Sequence, residues 1–167
     1  MSDDTLLEPL DGRLLRDVFG CFATGVTVVT SIGEDDKPVG LVVNSFSSVS
    51  LDPPQILWSI GLNSPSRDAF CKHEGFAVNI MGAESKDETM RFCTPSDDKF
   101  ADVDWWAGHY GVPVLRSALA TLECRTEQRI ISGDHEIFIG RVLRVDHQDV
   151  APLLFHRGKF AQLGALA

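Results

Sequence analysis

Cysteine is scarce in this chain of 167 residues: Cys21, Cys71, Cys93 and Cys124 form no Cys-x-x-Cys pair and have no histidine at zinc-finger spacing. That pattern excludes a metal knuckle and a dithiol redox pair, and leaves reduced thiols that mostly pack. The five histidines, His73, His109, His135, His147 and His156, show no ligand spacing. A Gly-x-Gly-x-x-Gly fingerprint after a strand and a Gly-x-x-x-x-Gly-Lys-Ser/Thr loop are both missing, which argues against a Rossmann domain and a P-loop NTPase. Without His-Glu-x-x-His or Gly-x-Ser-x-Gly, metal-assisted hydrolysis and acyl transfer also lack their residues. Positive charge is short as well. Fifteen Lys and Arg stand against 24 Asp and Glu, a formal charge of -9 with no basic stripe, so neither nucleic acid nor a membrane is an expected partner. No apolar run approaches the roughly 18 residues of a membrane span. The opening Met-Ser-Asp-Asp-Thr has no basic n-region or apolar h-region, so the expected compartment is the cytoplasm.

What is present is the composition of one globular domain, 44% hydrophobic and 23% charged, spanning 1–167. Leu10, Leu14, Leu15, Val18, Phe19 and Phe22 recur at helical steps, predicting an amphipathic helix that stops around Gly25. Val26 to Ile32 and Val39 to Val43, parted by a turn through Pro38, predict a hairpin. Ser45 to Leu51 and Gln55 to Leu62 are strands separated by Asp52-Pro53-Pro54. Ser64 as N-cap with Pro65 as first helical residue opens a short helix to Lys72, followed by a strand over Phe76 to Ile80. Glu84 to Phe92 is helix-prone, and Thr94 to Val112 reads as a long surface excursion. A second long hairpin runs Ala118 to Arg125 and His135 to Val145, with a bulge at Gly140, and Pro152 to Phe155 pairs with Lys159 to Leu163. About eight strands without intervening helices predict a mainly β fold, an antiparallel barrel closed or nearly closed, with two or three short helices.

Four segments draw attention as sites. Asn44-Ser-Phe-Ser-Ser-Val-Ser50 puts hydroxyls on both faces of a strand, suited either to a ribityl-phosphate ligand or to solvent at a sheet edge. Ser64, Ser66 and Arg67 offer helix N-terminal amides and a guanidinium, the arrangement that holds phosphate, or an ordinary cap. Gly133-Asp-His135 places an imidazole after a turn, where it reaches a cavity mouth or simply solvent. Trp105, Trp106 and Tyr110 either cover a flat ring or bury themselves in a core or dimer contact.

Read in order, Phe22-Ala-Thr-Gly-Val-Thr-Val-Val-Thr30, Gly40-Leu-Val-Val-Asn-Ser-Phe-Ser-Ser-Val-Ser-Leu-Asp-Pro-Pro54, Phe76-Ala-Val-Asn-Ile80, Arg91-Phe92, Leu122-Glu-Cys124, Gly133-Asp-His135 and Pro152-Leu-Leu154 resemble the flavin reductase-like family of FMN-binding split barrels. The resemblance runs from about residue 13 to residue 164. It implies a split barrel that binds FMN or FAD. Thr27, Val28, Val29 and Thr30 would border the isoalloxazine ring; Asn44, Ser45 and Phe46 its polar edge and ribityl chain; and Ser48, Val49 and Ser50 the ribityl-phosphate end. Ser64, Ser66 and Arg67 are similar to a region near the phosphate or adenylate, Phe92 and Phe160 match positions flanking the cofactor, and His135 would sit by the ring as the catalytic residue. NADH or NADPH would then pass a hydride to flavin N5 without a covalent nucleophile. The resemblance further implies a homodimer and delivery of diffusible reduced flavin to a monooxygenase component. Alternatives on the same fold pass electrons to a corrinoid or haem acceptor, or bind flavin without catalysis.

Overall fold

Residues 9–165 are described by the computed structural model; the opening Met-Ser-Asp-Asp-Thr lies outside them. Helix α1 covers Gly12–Phe19, begun by Asp11, whose Oδ1 accepts from the Arg13 N–H at 2.9 Å, and ended at Gly20. It stops short of the expected Gly25 because Cys21 and Phe22 fold back in turns onto the carbonyls of Val18 and Phe19.

Seven antiparallel strands form the main sheet: β2 (Thr27–Ile32), β3 (Pro38–Val43), β4 (Ser47–Leu51), β5 (Pro54–Gly61), β6 (Gly75–Met81), β9 (Ala118–Ser132) and β10 (His135–His147), ordered β3-β2-β6-β9-β10-β5-β4. A separate sheet joins β1 (Thr24–Gly25), β11 (Leu153–His156) and β12 (Lys159–Gln162), and β7 (Trp105–Ala107) pairs with β8 (Pro113–Leu115). Among the described residues twelve strands form where about eight are expected, and three of the additional ones, β1, β7 and β8, are only two or three residues long and carry no readable alternation. The ladder does not close between its edge strands β3 and β4. Ser45, in the link between them, prolongs the β4–β5 edge: its hydroxyl donates to the Ser59 carbonyl and accepts from the Ser59 N–H, both at 3.0 Å. The barrel is therefore split between β3 and β4.

Two helices complete it, α2 (Arg67–Lys72) and α3 (Lys86–Cys93). The expected cap on α2 moves by two residues. Ser64 accepts the Arg67 N–H through its carbonyl at 3.1 Å, so Pro65 occupies a preceding turn and Ser66 stands at the cap without a side-chain bond.

The interior fills from alternating residues of β5 and β10. Trp58 stacks on Phe138 at 4.8 Å and meets Phe70 of α2 edge-on at 4.9 Å. Gly140 passes so close to Phe76 that a Cβ there would lie 2.4 Å from its Cζ. The expected bulge falls beside it, with Glu127 of β9 as the extra residue between Ile139 and Gly140. Cys124 is buried here, and its thiol is pushed up to about 12 by desolvation, which keeps it protonated and inert.

Candidate functional site

The serine row occupies the strand at the split. Ser47 pairs with Leu57 and Ser48 with Ile56, after which Val49 bulges and Ser50 pairs with Gln55. Strict alternation puts Ser50 opposite Ser47; the bulge returns it to the same face. That face belongs to the outside of the barrel. On β5 the residues Ile56, Trp58 and Ile60 point inward, so Gln55, Leu57, Ser59 and Gly61 face outward, and their β10 partners Arg141, Ile139, Ile137 and His135 lie beside them. A half-buried apolar strip of Leu57, Ile137 and Ile139 is thus flanked by hydroxyls, an amide, an imidazole and a guanidinium. Asn44 is exposed at the end of the link from β3, while Phe46 packs half-buried against the aromatic core.

His135 stands where this face meets the turn. Gly133, at φ +58, makes the sharp reversal that other residues resist, and Asp134 follows with its carboxylate 2.7 Å from His135 Nδ1. That hydrogen bond, reinforced by the imidazole's charge, holds the Asp134 carboxyl below the usual carboxylate range. A Cβ built on the neighbouring Gly61 would lie 4.0 Å from His135 Nε2, so the glycine leaves an open notch in front of that nitrogen. On the opposite face the next residue, Glu136, is buried and accepts from Arg67 Nε at 2.7 Å, with Arg129 Nε at 3.7 Å and Cys71 Sγ at 3.5 Å. Its hydrogen bond raises the Arg67 pKa, and burial followed by Glu136 raises that of Cys71. The clamp ties α2 to the hairpin that carries His135.

Other expected residues fall elsewhere. Thr27, Val28, Val29 and Thr30 are interior, no more than 3% exposed, because β2 runs between β3 and β6 and both its faces are covered. Thr30 donates to the Pro113 carbonyl and Thr27 to the Val43 carbonyl, so their hydroxyls are engaged within the chain. None of the four therefore offers more than a sliver of side-chain surface in this protomer. Phe92 is likewise core, wedged against Gly40 and Phe100. Phe160 lies in the small sheet, edge-on to Phe155 with Lys86 Nζ 5.9 Å above it, away from the serine row. Ser64 and Ser66 sit half-buried on the approach to α2. In the Trp105–Tyr110 segment the two tryptophans pack half-buried against the core, while Tyr110 stays exposed. Trp106 packs over Ala77, Val112 and Val114, Tyr110 covers Gly75, and buried Glu123 accepts from both the N–H and Nδ1 of His109.

A groove of about 940 Å³ opens between the β2–β3 turn, α2 and the loop around Pro95, but of the expected residues it reaches only Ser66. Its walls mix Lys37, Lys72 and Lys99 with Glu34, Asp35, Asp68 and Asp97, so no surplus of positive charge awaits an anion there. The outer face of β4, β5 and β10 is the better candidate.

Gln55, Ser59, Gly61, Arg125, Glu127 and Arg141 belong to that face and escape a reading of the sequence. Alternation through His135, Ile137, Ile139 and Arg141 does place Arg141 with His135, but nothing local shows that β5 lies alongside. Three observations fit a flavin nucleotide: an apolar strip for a flat ring, a row of neutral donors and acceptors for a polyol, and a buried Arg141 Nε with no hydrogen-bond partner. Among the described residues no three His, Cys, Asp or Glu side chains are grouped to hold a metal, and no helix is long and apolar enough to cross a membrane.

The chain matches the flavin reductase like domain over residues 19–164. It is 42% identical over 152 residues to the FMN reductase (NADH) SmoA of Agrobacterium fabrum, covering 91% of this chain and 86% of that one. It is 43% identical over 148 residues to the reductase component of the flavin-dependent trigonelline monooxygenase of Acinetobacter baylyi, covering 89% of this chain. The chain spans about half the length of that relative, 48%, and 49% of a probable flavin reductase of Rhizobium meliloti. Among solved structures, the NADH:FAD oxidoreductase SgcE6 of Streptomyces globisporus, in complex with NAD and FAD fragments, superposes with a TM-score of 0.87 at 37% identity, covering 95% of this chain and 98% of that one. The split barrel, the serine row along it and these matches together show that the chain belongs to the flavin reductase-like domain family.

Proposed function

We propose that the chain is an NAD(P)H-dependent flavin reductase that reduces FMN or FAD and supplies the product to a separate monooxygenase component. The observation that carries this reading is His135 beside the Gly61 notch, at one end of an apolar strip bordered by Ser47, Ser50 and Ser59. When bound, the flavin supplies the hydride acceptor and the nicotinamide the hydride. The chain's own part is positional. Leu57, Ile137 and Ile139 give a water-poor surface against which a flat ring lies, and Ser47 and Ser50 offer hydrogen bonds to a polyol, whereas Ser48, paired with inward-facing Ile56, lies on the other face of β4. His135, oriented by Asp134, presents Nε2 to whatever enters the notch. Relatives named as reductase components of flavin-dependent monooxygenases support delivery to such a partner.

The test is an anaerobic absorbance titration of the protein with excess FMN or FAD, by NADH and then NADPH, against free flavin as control. Catalytic bleaching of the excess is expected. Bleaching of only the bound equivalent would transfer the reading to a dedicated acceptor, and no bleaching would leave a flavin-binding protein.

A second copy of the chain is the proposed partner of its uncovered apolar surface. Helix α1 buries no residue, yet Leu14, Val18 and Phe19 lie on it more than half exposed, with Leu10 and Phe22 at its ends. Ile131 and Val145 extend the pattern along the second hairpin, and Leu51 is 94% exposed at the end of β4 beside the serine row. Patches of this kind are buried in self-association, and a two-fold axis covers the same patch on both copies. Light scattering on purified protein is expected to give twice the 18.3 kDa chain mass. A monomer mass with flavin bound would overturn the dimer.

A further inference from the structure

Away from the serine row, β9 and β10 meet the β7–β8 pair and leave a cleft of about 350 Å³ to which the proposed hydride transfer gives no role. That volume is within the range of small-molecule sites. On β10 the cleft reaches Asp146, most of the strand's length away from His135. Register sets one of its walls. Thr121 of β9 pairs with Asp146 of β10 on one side and with Asn79 of β6 on the other, so the three side chains emerge on one face. That face is the one β8 covers, because Asn79 Oδ1 accepts from the Leu115 N–H at 2.8 Å. Arg116 follows Leu115 and lays its guanidinium over Trp106 of β7, 5.2 Å from the ring centroid. Gln148, just past the end of β10, lines the cleft with them.

The polar groups that meet here are under-used. Thr121 is only 5% exposed, yet its hydroxyl has no hydrogen-bond partner among the described residues, and buried polar groups in folded proteins are almost always paired. Gln148 is anchored through Nε2, which donates to the carbonyls of Arg116 at 3.3 Å and Ala118 at 3.1 Å, leaving Oε1 without a partner among the described residues. Asp146 Oδ1 accepts from the N–H of its neighbour His147 at 2.9 Å, and no cation pairs with it among the described residues. Arg116 gives Nε to Asp104 at 3.1 Å and keeps both Nη groups. Arg116 and Asp146 thus carry opposite charges on one cleft without forming an ion pair with each other. A cleft that keeps a cation and an anion apart, beside a buried hydroxyl and an amide oxygen, matches a ligand that is itself a zwitterion. Half-buried Leu119, Ala120 and Trp106 give such a ligand an apolar wall.

We infer that this cleft binds a small aliphatic α-amino acid, its ammonium on Asp146, the Thr121 hydroxyl and Gln148 Oε1, and its carboxylate on the Arg116 fork. A primary ammonium brings three donors to three acceptors that lack them. The assignment stands independently of the proposed function.

Isothermal titration calorimetry of L-leucine into the full chain, with no flavin or nicotinamide nucleotide added, tests it. Saturable binding is expected. Isocaproate, which lacks the ammonium, and isoamylamine, which lacks the carboxylate, are each expected to bind at least about tenfold more weakly, the size of one charge-assisted hydrogen bond. Asp146→Asn and Arg116→Gln alter exposed side chains and are each expected to weaken leucine about tenfold. Thr121→Val keeps the shape and loses the hydroxyl, and is expected to weaken leucine about threefold; the two exposed variants carry the test if it does not fold. No saturable binding of leucine, or binding that Asp146→Asn and Arg116→Gln leave unchanged, would overturn the assignment. So would isocaproate or isoamylamine binding as tightly as leucine, which would make the cleft a site for a single charge. Asp146→Asn is expected to reduce flavin at the parent rate, so a failure here leaves the proposed function standing.

Discussion

Replacing Asn79 by leucine is expected to lower the midpoint of thermal unfolding by roughly 10 °C, read by scanning calorimetry. Asn79 is completely buried on β6, and its amide serves three neighbours. Nδ2 donates to the Val28 carbonyl at 2.9 Å and to Thr30 Oγ1 at 3.2 Å, while Oδ1 accepts from the Leu115 N–H at 2.8 Å. Leucine has similar bulk and none of these groups. It leaves the Leu115 N–H buried with no acceptor and takes a donor from two buried oxygens, a loss of about 3–5 kcal/mol at roughly 1–3 kcal/mol per stranded group. In chains of 150–250 residues each kcal/mol moves the midpoint by about 2–4 °C. The matched control is Asn44→Leu, which removes the same amide from an exposed position and is expected to change stability by less than about 0.5 kcal/mol. Equal, small shifts for the two variants would show that the three buried bonds contribute no net stability. Asn79 also explains why β2 is interior: through Leu115 it draws β8 over the β2–β6 pair and helps cover Thr30.

The strands readable in the sequence were those with long alternation and clear stops. The two hairpins and the Asp52-Pro53-Pro54 break stand where β-branched runs and turn residues put them, while the bulge expected at Gly140 falls on the facing strand, at Glu127. The sheet order was not readable. Pairing of β5 with β10 brings together residues about 80 positions apart, and no local pattern records which distant strand a given strand will meet. How the link from β3 enters β4 depends on a detail finer still, the Ser45 hydroxyl bound to both backbone groups of Ser59.

The same distinction separates the parts of the site. The serine row was legible because hydroxyls on a strand are unusual, yet its facing was not, since one bulged residue, Val49, reverses the side on which Ser50 emerges. Thr27 to Thr30 matched a family motif, but a motif does not state which of its side chains are buried. Their β-branched character serves a strand covered on both faces. Arg141 was invisible for the opposite reason: an arginine alternating in a strand is ordinary until its neighbours prove to be Gln55, Glu127 and Ser50.

His135→Ala is expected to slow reduction of flavin by NAD(P)H roughly 10- to 100-fold while changing flavin affinity less than about twofold. The imidazole is half exposed, and its Nδ1 lies 2.7 Å from Asp134 Oδ1. Asp134, held low by that hydrogen bond, remains ionised and pins Nδ1, so the ring is fixed with Nε2 toward Gly61. A hydrogen bond that orients a reacting group and strengthens in the transition state is worth about 1.5–3 kcal/mol, or about 10- to 100-fold in rate. Affinity changes little because the apolar strip and the serine row are untouched. His135→Gln keeps a hydrogen-bonding amide and is expected to recover part of the rate. Stopped-flow reduction at saturating flavin, set beside the flavin Kd, separates the two quantities; if both fall together, His135 holds the flavin rather than orienting the transfer. The depressed Asp134 pKa also fixes a sign. Asp134's contribution is present above its unfolded pKa, near 3.8, and is lost only as pH falls through the lower folded value, so between about pH 5 and 9 Asp134 adds no limb to the rate profile.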